Sequence, residues 1–120
     1  MRIAHINIVD ARVGIGNSVR ALMEAQKQQG DQPTLFVPQR SMEDEDVVLI
    51  SGRDDAWEQS MRSFEAREGV TGLASGNLFE MLRHPRFLDA DVVHLHATSA
   101  TYFSYCLLPA LAAKPLIWSI

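Results

Sequence analysis

A change of hydrophobic period near the N-terminus constrains this chain most. Arg2 to Val9, RIAHINIV, is a largely apolar, β-branched run that closes at Asp10, the pattern of a strand buried on both faces in a parallel sheet. A glycine-containing loop, Asp10 to Gly16, follows. From Asn17 the spacing becomes helical: Val19, Leu22 and Met23 fall on one face, Asn17 can cap the first turn, and Gly30 stands where a helix stops. Thr34 to Val37 then reads as a second strand, closed by Pro38. Strand, glycine loop, helix and strand make a βαβ unit, because parallel neighbours need a crossover connection.

The alternation continues. Val47 to Ile50 predicts a third strand, preceded by the acidic Glu43 to Asp46 stretch as a solvated loop. Trp57, Met61 and Phe64 recur at helical spacing, which predicts a helix over Asp54 to Glu68 with those three side chains in the core, before breaks at Gly69 and Gly72. Ser75 is placed to cap a short helix carrying Leu78, Phe79 and Leu82 that ends at Pro85. Asp91 to His96 is a fourth strand, Thr98 or Ser99 can cap a helix through Leu107, Pro109 restarts the chain in a new turn, and Pro115 to Ile120 is a last strand. No repeat, low-complexity segment or linker marks an internal boundary. The expectation is therefore one α/β domain over residues 1–120, Rossmann-like and doubly wound on a mainly parallel sheet. With strand order 3-2-1-4-5, a ligand crevice opens between the first and fourth strands, where the Asp10 to Ser18 loop faces the His96 to Thr101 loop.

Composition narrows the function classes. A hydrophobic content of 47% is enough for a core, and a formal charge of -4 gives no electrostatic reason to approach nucleic acid. The lone Cys106 cannot form an internal disulfide and is placed in the core as a small apolar residue; no signal-peptide pattern opens the chain, so a cytoplasmic location is expected. The apolar stretch Tyr105 to Leu116 is too short to span a bilayer and is interrupted by Pro109, Lys114 and Pro115. Peripheral contact with the inner face of a membrane stays open; Arg83, His84 and Arg86 beside Phe87 and Leu88 could touch an anionic surface, although a solvated loop explains them as well.

The candidate site residues are those at the crevice. Gly14 and Gly16 precede a helix whose free N–H groups favour an anion, and their missing side chains let a phosphate or sugar approach the backbone; a tight turn that needs glycine explains them equally. A dinucleotide fingerprint would want a third glycine where Val19 stands and an acidic residue where Pro38 and Gln39 stand, and a P-loop would want a Gly-Lys-Ser or Gly-Lys-Thr; no nucleotide cofactor is expected. His94 and His96 share one face of a strand and could chelate a metal, but no third ligand is evident and Asp10 is the one plausible nearby carboxylate, so no metal is expected. His94 reads as a core or helix-facing histidine satisfied by hydrogen bonds. His96, nearer the strand end and beside Thr98, Ser99 and Thr101, is the better ligand contact.

Taken in order, MRIAHINIVD, the glycine loop before NSVRALMEAQKQQGDQPTLFV, then DADVVHLHA and YFSYCLLPALAAKPLIWSI resemble the N-terminal domain of family-four glycosyltransferases, retaining enzymes of the GT-B architecture. The resemblance is loose between Pro38 and Glu80. It implies an acceptor-side domain that works with a second, donor-binding domain to move a sugar from a nucleotide-sugar donor to an acceptor, and that is inactive alone. The substrate-binding residues it implies, together with the crevice argument, are Gly14, Ile15, Gly16, Asn17, His96, Thr98 and Ser99; no catalytic residue is assigned. Val13-Gly14-Ile15-Gly16 departs from the adjacent glycines common in that family, which puts direct diphosphate contact in doubt. The competing expectation is a stand-alone flavodoxin-like module for a small ligand or protein. The apolar ending PLIWSI favours the glycosyltransferase half, because a self-contained module should close its last strand with a polar exit.

Overall fold

The β-branched opening run pairs on both sides and forms the middle of the sheet. The computed structural model describes residues 1–10, 14–50, 55–73, 78–96 and 103–119. Among them β1 (Arg2–Ile6), β2 (Gln32–Val37), β3 (Val47–Leu49), β4 (Val92–His96) and β5 (Leu116–Ser119) form one sheet in the order β3-β2-β1-β4-β5. Every pairing is parallel, so the α/β Rossmann-like class holds, and β1 and β4 are neighbours with His5 opposite His94. Pro33 fits inside β2 because β3 begins pairing only at Leu35, where the missing N–H no longer matters.

The helix α1 (Gly14–Gln28) starts three residues before the expected cap, so Asn17 lies within its first turn rather than at its N-cap. Gly14 and Gly16 are helical, which removes the tight-turn explanation for them. Gly16, Val19 and Met23 make the buried stripe, and a glycine in that stripe lets the first turn sit close to the sheet. At the other end Gly30 adopts φ 88° and donates to the Lys27 carbonyl while Asp31 donates to that of Gln26, the two bonds of a Schellman stop. Arg20 reaches Asp44 at 2.5 Å and Lys27 pairs with Asp46, so half of the acidic stretch expected to be solvated instead ties α1 to the β3 approach.

Alternation along the strands gives the sheet two different faces. On one, Ala4, Ile6, Phe36, Val93 and Leu95 pack with Met81, Phe87, Phe103, Leu107 and Leu111 into the larger core. Apart from Phe103, these come from α3 (Leu78–Met81), α4 (Pro85–Leu88) and the 3-10 turn Tyr105–Leu107 that runs into α5 (Leu108–Leu111). On the other, α1 lays Val19 and Met23 over Leu35, Val37 and Val47.

Several local expectations change. The helix α2 (Asp55–Glu68) forms, but Trp57 and Phe64 are exposed and Met61 is half-buried, so their spacing marks a helix and not the core. Pro85 opens α4 at its first turn, capped by His84 Nδ1, which accepts from the Arg86 amide. Pro109 restarts the chain as expected, in the first turn of α5. Cys106 is exposed, because the 3-10 turn directs Leu107 inward in its place. Gly72, at φ 86°, has the Tyr105 ring where a Cβ would stand, so any other residue there is strained and has to displace that ring. Ser75, Thr98 and Ser99 lie outside the described residues.

Candidate functional site

Three histidines that the sequence scatters over two strands meet on the α1 face between β1 and β4. His5 is fully buried at the centre of β1. Its Nδ1 lies 2.9 Å from Nε2 of His96, and its Nε2 lies 2.8 Å from Oε1 of Gln26, in the last turn of α1. The Gln26 carbonyl oxygen accepts, so this partner assigns the His5 proton to Nε2; His96 Nε2–H then donates to His5 Nδ1. His94 leans the other way, its Nε2 2.7 Å from Oγ of Ser119 on β5. The His94 and His96 rings are 3.9 Å apart between centroids, and His5 lies 5.3 and 5.2 Å from them.

All three imidazoles are held neutral. Burial pushes His96 down to about 3, with His94 and His5 adding to the shift. Burial also lowers His5, to about 4, against the upward pull of its bond to Gln26. His94 is half-buried and lowered by the same desolvation. The order of burial reverses the expectation for this strand. His96 is the enclosed one because its ring turns toward β1 beneath α1; His94 turns toward β5, where Ile117 is 52% exposed on the same face.

The C-terminal ends of β1 and β4 define the crevice expected at the switch point. Asn7 continues the β1 ladder by donating to the Phe36 carbonyl and is fully buried; its Nδ2 donates to the Val9 carbonyl, and its Oδ1 has no hydrogen-bond partner among the described residues. Asp10, also buried, does not wait for a ligand: its carboxylate accepts from the Ser41 hydroxyl and from the amides of Ser41 and Met42. Burial pushes that carboxyl up, and the hydrogen bonds outweigh it, so its pKa falls below the ordinary value. Asp10 thus clasps the loop after β2. Gly14, Ile15 and Asn17 are exposed on the first turn of α1, while Gly16 is turned to the interior.

A cleft of about 510 Å³ lies elsewhere, at the opposite ends of the strands, lined in part by Arg2, Lys27, Asp31, Asp46 and Arg86. Several of the charges there are engaged with one another or with backbone: the N-terminal amine with Asp31, Lys27 with Asp46, and Arg86 with the Glu45 carbonyl. That end of the sheet is braced by salt bridges.

The sequence signalled His94 and His96 but not His5, which as a single histidine in an apolar run reads as core. The available signal was positional: His5 occupies the centre of the strand expected to neighbour the VVHLH strand. No protein-family model, curated protein or solved structure matches this chain. Among the described residues, no helix is long and apolar enough to cross a membrane.

Proposed function

We propose that this chain is the acceptor-side domain of a retaining GT-B glycosyltransferase, binding the sugar acceptor at the β1/β4 switch point. One observation carries the proposal: at the crevice expected from the strand order β1 is followed by Asn7, whose buried Oδ1 has no partner among the described residues, β4 ends in His96, and the next helix in the chain, α1, opens on a glycine-bearing first turn. An unpaired buried acceptor costs about 1–3 kcal/mol, a cost that a hydroxyl-rich ligand removes by donating to it. The first turn of α1 offers free N–H groups to a phosphate or a polarised hydroxyl. The donor nucleotide-sugar belongs to a second domain in this scheme, because closure of two domains excludes water from the leaving diphosphate. The site residues are Gly14, Ile15, Gly16, Asn17 and His96, with Thr98 and Ser99 carried from the sequence; the location is cytoplasmic, with peripheral membrane contact where the acceptor is a lipid.

Titration of the isotope-labelled chain with saccharides and sugar phosphates tests this directly. Amide shifts should saturate at Gly14 to Asn17 and at His96. Gly14→Val and Asn17→Ala, both at exposed positions, should weaken binding about tenfold, roughly one lost hydrogen bond, without unfolding the domain. Saturable shifts confined to other parts of the sheet, or nucleotide-sugar turnover by the 120 residues alone, would overturn the assignment.

A further inference from the structure

We propose that His5, His94 and His96 form a binding site for a divalent transition metal, Zn²⁺ foremost, with three imidazole ligands and a fourth position open beside His94. This goes beyond acceptor binding and does not depend on it. The first support is geometric. One nitrogen from each ring falls within 4.8 Å of the other two, and no carboxylate belongs to the cluster among the described residues. Zn–N bonds of about 2.0–2.1 Å in a tetrahedral site set the nitrogens about 3.3 Å apart. His5 Nδ1 and His96 Nε2, now at 2.9 Å, need to part by a few tenths of an ångström. His94 has the larger movement to make, and it is the half-exposed member with room to make it.

The surroundings are those of a supported ligand set. Metal-bound histidines commonly donate their second N–H to an oxygen that fixes tautomer and ring orientation. His5 Nε2–H donates to Gln26 Oε1, which leaves the His5 Nδ1 lone pair facing His96, and Ser119 Oγ holds His94 Nε2. The proton that His96 now shares with His5 Nδ1 moves to His96 Nδ1 when the metal takes its place. Imidazole nitrogens suit Zn²⁺, Cu²⁺ and Ni²⁺. Three neutral ligands leave the full charge of the ion in place. The open position therefore takes water or an anion, and the ion lowers the pKa of a bound water.

The test uses the whole 120-residue chain, stripped of metal, at about pH 7.5, above the ordinary histidine pKa. Zn²⁺ is titrated in competition with a chromogenic chelator, and Co²⁺ is read by its visible absorption. One ion per chain and the intense absorption of four-coordinate Co²⁺ are expected. His94→Ala, at a half-exposed position, should keep the far-ultraviolet dichroism of the parent and bind at least about 30-fold more weakly, and Gln26→Ala about tenfold more weakly, as supporting residues do. His84→Ala and Cys106→Ser, outside the cluster, should bind like the parent. Zn²⁺ affinity no tighter than about millimolar, or His94→Ala binding like the parent, would overturn the site. Saccharide titrations run with chelator present keep that outcome separate from the fate of the acceptor assignment.

Discussion

The two faces of the sheet use alternate residues of the same strands, yet they do different work. One face, through Ala4, Ile6, Phe36, Val93 and Leu95, is sealed by α3, α4 and α5 into a continuous apolar core. The other is apolar beneath α1, at Leu35, Val37 and Val47, and at Ile3 and Val92; toward the strand ends of β1 and β4 it carries His5, His94, His96 and the buried Asn7. Burying an apolar side chain stabilises the fold wherever it happens, whereas a buried imidazole is tolerated only while its hydrogen-bond partners are present. The first face therefore determines that the chain folds, and the second holds polar groups whose burial must be offset by their hydrogen bonds.

The largest effect should come from the sealed face. Phe36→Ala empties a fully buried position and should cost about 3–5 kcal/mol, seen as a lower urea midpoint at every pH. A cost below about 1 kcal/mol would mean that the two faces do not differ as described.

The histidine face should instead respond to pH. In the metal-free folded chain His5 and His96 stay neutral down to about 4 and 3, whereas in the unfolded chain they bind a proton near the ordinary 6.5. The unfolded state thus binds more protons below 6.5. Stability is whole above that pH, falls as pH drops toward 4, and levels off once the folded histidines also protonate. At about 1.4 kcal/mol per pH unit for each histidine, reduced by partial solvent screening, the loss between pH 7 and pH 5 should be roughly 2–3 kcal/mol. Urea unfolding at the two pH values measures it, and His96→Gln should flatten the dependence.

A smaller effect separates the lid from the face it covers. Gly30→Ala forces a left-handed φ of 88° on a residue with a Cβ and should cost about 1 kcal/mol. Faster amide exchange in the last turn of α1, around Gln26, should accompany it. The smallest effect is expected at the β5 edge, where Ile117 and Trp118 are 52% and 41% exposed on opposite faces. Ile117→Thr should change stability by less than about 0.5 kcal/mol while reducing self-association in sedimentation.

Much of this architecture is legible from periodicity alone. The five strands, the parallel order, the β1/β4 contact and the stop at Gly30 follow from β-branched runs, helical spacing and glycine punctuation, all local properties of the chain. Local pattern also misleads where tertiary packing decides. The Trp57, Met61 and Phe64 spacing specifies a helix but not what covers it, and Cys106 faces solvent because a 3-10 turn has a different phase from an α-helix.

The site divides along the same line. The sequence by itself determines that His94 and His96 share a face, because side chains alternate along any strand, and it places His96 at the end of β4. That His5 completes the cluster, 91 positions away from His96, depends on the register of β1 against β4, and its tautomer depends on Gln26 from a helix laid across both. Only the folded sheet decides these, since register and helix docking are set by the summed burial of both faces and not by any one residue.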